Sequence, residues 1–396
     1  GLLAHRGITV FRANAAFHAD ETAPATSNHI VHLVPSPDQS DILTYHKADV
    51  PEPSGPTMDL TATNIVIATG AKPRPLPGNP FAGALIDSTQ ALEVNEFPSS
   101  AVIIGAGAIA LEFASMWNAA GSKVTLLIRK DRVLSAWDRR AGTTLTRELK
   151  RHGVNIITRA SVTHVDTGAN LGATVHYTRE GQDGEQSVWG EIALVAIGRD
   201  PITDPAWGVT IDDHGHVATD AYGRTDKPGV WAVGDVTAGH ALAHRAFEQG
   251  IVIAETIAGL NPKPVDEATV PQIVFSFPEA ASVGLTVEQA QAREDLIEIK
   301  ETNYPMLANA RMLMSGTAGS LTIVSGCDAA NPDTPRVLGV HMVSQMASDI
   351  IAEAEQLVGN HVPLADAARL VHPHPTFSET LGEALLKADG RPLHTR

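Results

Sequence analysis

Residues Ala101–Asp138 read AVIIGAGAIALEFASMWNAAGSKVTLLIRKDRVLSAWD, and this stretch decides the fold. An apolar run, Ala101 to Ile104, stops at Gly105-Ala106-Gly107, and a helical pattern begins at once with Ile109, Leu111, Phe113 and Met116. Gly121 ends that helix, and a second apolar run follows from Val124 to Ile128. Strand, glycine turn, helix and strand in this order predict half of a dinucleotide-binding fold. Gly105 permits the tight turn, Gly107 lets the backbone approach a pyrophosphate, and Ala110 is small enough for the helix to pack on the strand. The helix N-terminus offers free N–H groups and a partial positive charge to the phosphates. The candidate cofactor-binding set is therefore Gly105, Ala106, Gly107, Ala108, Ile109, Ala110 and Leu111.

The tip of the second strand bears on which nicotinamide nucleotide is held. A fold that grips both ribose hydroxyls of NAD usually ends this strand with Asp or Glu. Here Ile128 stands at that place, followed by Arg129, Lys130, Asp131 and Arg132. Two cations and no carboxylate suit a 2′-phosphate, so Arg129 and Lys130 are candidate ligands and NADPH is the expected form of NAD(P).

Composition narrows the partners. The 396 residues are 43% hydrophobic, enough for two or three cores, and carry a net charge of −16, which argues against nucleic acid or an anionic membrane. No apolar run approaches the roughly 20 residues needed to span a bilayer. Cys327 is the only cysteine and no secretory signal opens the chain, so no disulfide framework is expected and the cytoplasm is the expected compartment. The chain opens at Gly1-Leu2-Leu3-Ala4-His5, as the tail of a helix running into a strand at Ile8–Phe11, and is expected to be a fragment of a longer polypeptide.

Outward from the central unit, His29–Val34 reads as a strand and Pro35–Met58 as an exposed loop. Asn64–Gly70 and Ile192–Gly198 are buried strands with glycine at their ends, and Gly229–Asp235 is a strand whose tip carries an acid. Helices are expected near Arg140–His152 and Ala243–Ala258. Beyond Pro262 and Pro264 the pattern becomes strand (Ile273–Phe277), helix (Thr286–Ala292), two strands (Ser320–Val324, Val337–Val343) and helix (Ala347–Val358).

At Thr225–Asp235 a family comes into view. An Asp at a strand tip, followed by a helix beginning near Ala243, resembles the second flavin-binding motif of the pyridine-nucleotide disulfide oxidoreductases. The resemblance implies that Asp235 accepts hydrogen bonds from a ribityl chain and that the helix N-terminus at Ala243 faces the flavin of FAD. Thr69 and Gly70, in Ala68-Thr69-Gly70, resemble that family's central turn, and Gly198, in Ala196-Ile197-Gly198-Arg199, its turn beside the nicotinamide. Glu112 matches a carboxylate that in the family pairs with a lysine near the flavin; that lysine is not in this chain.

Val371-His372-Pro373-His374-Pro375-Thr376-Phe377-Ser378-Glu379 is similar to the H-x-H-P-T-x-x-E motif of dihydrolipoamide dehydrogenases, with relatives in glutathione reductases. The resemblance implies that His374 takes protons from a dithiol and that Glu379 orients its imidazole. An imidazole is suited to proton transfer near neutrality, and a carboxylate fixes its tautomer. A competing reading makes Thr376 and Glu379 a capping box for a helix over Leu381–Lys387, with His374 incidental. His372 is the better candidate for a merely packed histidine.

The expected fold class is α/β: two Rossmann-like dinucleotide-binding domains, the FAD domain truncated and discontinuous with the NAD(P) domain inserted, plus an α+β C-terminal dimerisation domain. Boundaries are placed at 1–92 and 219–268 for FAD, 93–218 for NAD(P) and 269–396 for the interface. The family's first flavin GxGxxG and its C-x-x-x-x-C would lie before Gly1, and Cys327 alone cannot form an internal disulfide. The resemblance implies a homodimer in which each histidine serves the partner's disulfide, and a small-molecule or lipoyl-domain dithiol as substrate. The tail favours a dihydrolipoyl dehydrogenase, and Arg129 and Lys130 favour an NADPH-dependent reductase of glutathione or mycothione type. Genuinely missing cysteines would instead make a non-catalytic nucleotide-binding scaffold.

Overall fold

The computed structural model describes residues 1–18, 28–46, 51–168 and 172–395. They form two compact units, Gly1–Lys72 with Asp200–Val265, and Pro73–Arg199 with Asp266–Arg396.

The second unit is built on five parallel strands in the order Asn155–Ile157, Lys123–Leu127, Ser100–Ile104, Ile192–Val195, Leu85–Ile86. Ala101 sits opposite Val124 on one side and Ile192 on the other. Apolar residues on both faces suit these strands to a sheet covered on both sides. Ala101 and Ile103 point to a core with Leu111, Trp117, Leu145 and Leu149 from the helices Ala108–Ala119 and Arg139–Arg151. Val102 and Ile104 point the other way, onto Ala173, Val175 and Tyr177. Those three belong to an antiparallel meander of Ala160–Asp166, Ala173–Arg179 and Gln186–Gly190.

The C-terminal part is a five-stranded antiparallel sheet in the order Gln272–Val274, Glu279–Gly284, Asn331–Ser344, Ser320–Asp328, Leu296–Pro305. Ile350, Ile351, Ala354 and Leu357 of the helix Ala347–Gly359 fill its core with Leu381 and Leu385 of the helix Glu379–Ala388. Val274, Ala280 and Val343 join the core around Trp117, so the parallel and antiparallel sheets are packed as one body.

In the first unit, Ile65–Ile67 pairs in parallel with Val230–Ala232, which leads through Gly234–Val236 to the helix Ala243–Ile257. His29–Val34 lies between Asn14–Phe17 and Met58–Ala62.

Two expectations are corrected. The span Pro35–Met58 is not all loop: Leu43–Tyr45 pairs with Val10–Arg12 and with Pro51–Pro53, and residues 47–50 lie outside the described residues. Leu296–Pro305 is a ten-residue strand that the polar sequence IEIKETN concealed, because it sits at a sheet edge where one face stays wet. The chain crosses between the two units at Lys72/Pro73, Arg199/Asp200 and Val265/Asp266.

Candidate active site

Gly105 takes φ +142°, and a Cβ there would stand 2.1 Å from the carbonyl oxygen of Ala196, at the end of the neighbouring strand. Only glycine tolerates both conditions. Ala110 is fully buried against the same place, and its methyl would be 3.4 Å from that Cβ. Gly107 caps the helix in extended conformation, and a Cβ on it would meet no protein atom within 4 Å. The carbonyl of Gly107 accepts from Leu111 N–H, so the amides of Ala108, Ile109 and Ala110 lie in the first helical turn, whose N–H groups have no partner within the helix. The carbonyl of Ala106 accepts from Leu134 N–H at 3.0 Å, which folds the Ile128–Asp138 segment over the turn.

Arg129 and Lys130 are exposed just beyond the second strand, and among the described residues no ion pair ties either one down. Arg132 behaves differently: it folds back on Asp131 and the carbonyl of Ser135 and packs where a Gly142 side chain would be. Gly198, at φ +128°, passes its carbonyl to Arg74 N–H at 3.1 Å. Glu112 accepts from Phe275 N–H at 3.0 Å, so it also holds the C-terminal segment to the helix.

In the first unit Thr69 Oγ1 donates to the carbonyl of Ile202 at 2.7 Å, and Gly70, at φ +71°, accepts from Ile202 N–H at 2.9 Å. Asp235 sits half-buried in the turn after Val230–Ala232, and no group among the described residues engages its carboxylate. Leu242 caps the helix that begins at Ala243 without a side-chain hydrogen bond.

His374 Nδ1 lies 2.8 Å from Glu379 Oε2. His374 is 75% exposed at its side chain and Glu379 17%, so an accessible imidazole stands on a shielded carboxylate. The other carboxylate oxygen accepts from Asn309 Nδ2 at 2.9 Å, and Asn309 is itself fixed by its Oδ1, which caps Met312 N–H. The capping-box reading is half met: Thr376 Oγ1 accepts from Glu379 N–H at 3.3 Å, but the Glu379 side chain turns to His374 and Asn309 instead. Burial, with Glu383 and Glu379 nearby, pushes the Tyr304 phenol up to about 12, which keeps it neutral there. His372 is the packed histidine: Nε2 meets Glu353 at 2.9 Å, and its ring lies where a Gly382 side chain would be. Asn309 escaped the sequence reading as a partner of Glu379 because 70 residues separate them.

Residues 19–250 match the family model described as pyridine nucleotide-disulphide oxidoreductase, and residues 270–385 match that family's dimerisation domain. The dihydrolipoyl dehydrogenase of Cupriavidus necator is 38% identical over 341 residues, 85% of this chain and 70% of the relative. This chain is a pyridine nucleotide-disulphide oxidoreductase. A dihydrolipoyl dehydrogenase of Bacillus subtilis is 36% identical over the same shares of both chains. The structure superposes on LpdA of Mycobacterium tuberculosis with TM-score 0.78 and 25% identity, over 94% of this chain and 76% of that one. The HOCl-induced flavoprotein disulfide reductase RclA of Escherichia coli gives 0.73 and 26%, over 83% and 74%.

As a flavoprotein disulfide oxidoreductase of the dihydrolipoyl dehydrogenase type, the oxidoreductase takes FAD and NAD(P) as cofactors. Its residues fit them. The open space over Gly107 and the free first-turn amides suit a pyrophosphate, and the unengaged Asp235 carboxylate beside an uncapped helix suits a polyol and an electron-rich ring. Among the described residues no helix is long and apolar enough to cross a membrane.

Proposed function

We propose that this chain carries the proton-handling and nucleotide-binding parts of a dihydrolipoyl dehydrogenase, which passes electrons from a dihydrolipoyl dithiol to NAD(P). The observation that carries this is the His374–Glu379 pair. A carboxylate accepting from Nδ1–H leaves the lone pair on Nε2, on the exposed side of the ring, where a thiol proton can be taken. Asn309 prevents Glu379 from turning away, so it is a positioning residue. Gly105 through Leu111, with Gly198, hold the nicotinamide nucleotide, and Thr69, Gly70, Asp235 and Ala243 hold the flavin nucleotide. Bound FAD supplies the two-electron relay between a disulfide and the nicotinamide.

Cys327 plays no part in that relay. It is buried in the strand Ser320–Asp328, and burial pushes its thiol up, away from the thiolate form. A redox pair must come from outside these 396 residues, which contain one cysteine. The reading includes a homodimer built through the dimerisation domain, with His374 exposed toward the partner's disulfide, in the cytoplasm, and with domain limits at 1–92, 93–218, 219–268 and 269–396.

Steady-state assay of the holoenzyme separates the substrates. Dihydrolipoamide oxidation faster than NADPH-driven reduction of glutathione or mycothiol disulfide supports the proposal. The reverse order, which the free cations Arg129 and Lys130 favour, transfers the chain to the disulfide reductases. A start codon immediately before Gly1 in the coding DNA, with no C-x-x-x-x-C encoded in frame, would leave only the scaffold reading.

A further inference from the structure

A second cluster of chemistry-bearing side chains lies on the antiparallel meander, among residues that neither nucleotide site nor the His374 pair uses. His164 on the strand Ala160–Asp166 stands directly opposite His176 on the strand Ala173–Arg179. Their rings stack with centroids 4.1 Å apart and planes 8° from parallel. Both Nδ1 atoms face one carboxylate, His164 Nδ1 at 3.8 Å from Glu185 Oε1 and His176 Nδ1 at 3.7 Å from Glu185 Oε2. Both Nε2 atoms face another, Asp166 Oδ2, at 3.9 and 3.1 Å.

We propose that His164, His176 and Glu185 form a binding site for one divalent transition cation of the zinc class, held by the first two strands of the meander and the residue that precedes the third. Four features argue for a cation rather than a solvated polar patch. First, the Asp166 carboxylate accepts from His176 Nε2, which places the ring proton there and turns the Nδ1 lone pair toward Glu185. A carboxylate on the far nitrogen is the usual way a metal-binding histidine is oriented. Second, with its Nε2 proton on Asp166, His176 turns an Nδ1 lone pair toward a carboxylate oxygen 3.7 Å away, and a bound cation relieves that acceptor pair as a second ring proton would. Third, the imidazole–carboxylate gaps of 3.8 and 3.7 Å approach the roughly 3.3 Å tetrahedral edge of a zinc site, and rotation of the two rings out of their stack brings their Nδ1 lone pairs together on one ion. Fourth, Glu185 is already aimed: Thr163 Oγ1 donates to its Oε1 at 2.7 Å. Thr163 is the extra residue of a bulge between Val162 and His164, and such bulges re-aim side chains.

Two imidazoles and one carboxylate with open positions suit zinc, nickel, cobalt or copper, not magnesium or calcium, which prefer all-oxygen shells. The three side chains are 47%, 23% and 45% exposed, so the cation reaches the site from solvent and exchanges with it.

The test is calorimetric titration of the holoenzyme with zinc chloride, with magnesium chloride as comparison. Saturable zinc binding at micromolar concentration is expected. Single variants His164→Gln, His176→Gln and Glu185→Gln should each weaken it at least tenfold, and Asp166→Asn by about tenfold or more. The double variant His164→Gln/His176→Gln should bind one zinc fewer per chain. On the unmutated protein, zinc should slow acylation of His164 and His176 by diethyl pyrocarbonate, read by mass spectrometry, without slowing that of His32. A double variant with undiminished stoichiometry, unchanged acylation, or magnesium binding as tight as zinc would overturn the proposal.

Discussion

His374 Nδ1 and Glu379 Oε2 stand 2.8 Å apart, with the imidazole open to solvent and the carboxylate shielded beneath it. If His374 is the base, as proposed, His374→Ala should lower dihydrolipoamide turnover by about 10²–10⁴-fold in the holoenzyme. Glu379→Gln keeps the shape but exchanges an ionic partner for a neutral one and should cost less. Asn309→Ala should cost least, and should act on kcat rather than KM because the hydrogen bonds of its side chain, among the described residues, go to Glu379 and to the backbone of Thr376 and Met312. Equal losses in all three variants would contradict this order.

Gly105 and Gly107 make opposite predictions although two residues apart. Gly105→Ala drives a methyl into the Ala196 carbonyl at a backbone angle alanine avoids, and should destabilise the protein by about 2–4 kcal/mol in denaturant titration. Gly107→Ala meets no protein atom and should leave the unfolding midpoint nearly unchanged. Its methyl occupies the approach of the pyrophosphate, so KM for NAD(P)H should rise instead.

On the proposed reading, the exposed cations Arg129 and Lys130 set the nucleotide preference. Arg129→Glu/Lys130→Glu should lower kcat/KM for NADPH tenfold or more while changing that for NADH little, with the melting temperature unmoved because both side chains are exposed. A wild-type enzyme that turns over NADH far faster than NADPH would refute the assignment.

Half-buried His372 and buried His341 give stability opposite pH dependences. The Glu353 hydrogen bond holds the His372 imidazole above its ordinary value of about 6.5, so its stabilisation is complete below that pH and is lost as pH rises through the raised folded value. Burial holds His341 below the same ordinary value, neutral between the Ser282 hydroxyl and the Leu285 carbonyl. Its stabilisation is present above about 6.5 and is lost as pH falls toward the lowered folded value. Glu353→Gln should therefore flatten the alkaline side of a melting-temperature profile, and His341→Gln the acidic side.

Cys327 should be inert in the folded protein, since burial both covers the thiol and keeps it protonated. Alkylation followed by peptide mass spectrometry should label it only after denaturation.

Much of the architecture was legible along the chain. The run AVIIGAGAIALEF specifies strand, turn and helix because glycine placement and apolar period are properties of adjacent residues. The same holds for His29–Val34, Ala347–Gly359 and the helix from Ala243, whose bounds came out within a residue or two. Leu296–Pro305 was not legible, because an edge strand exposes one face and its polar residues break the pattern that reveals buried strands.

By itself the amino-acid order determined which segments become strand or helix and which residue types stand at their tips, since steric freedom and periodicity act over a few neighbours. Only the tertiary structure decided that Gly105 must yield to the Ala196 carbonyl, that Glu379 serves His374 and Asn309 rather than capping its helix, and that His164, His176 and Glu185 converge. Each of these depends on side chains that meet through space, and a hydrogen bond or steric contact between distant positions leaves no periodic trace in either segment alone.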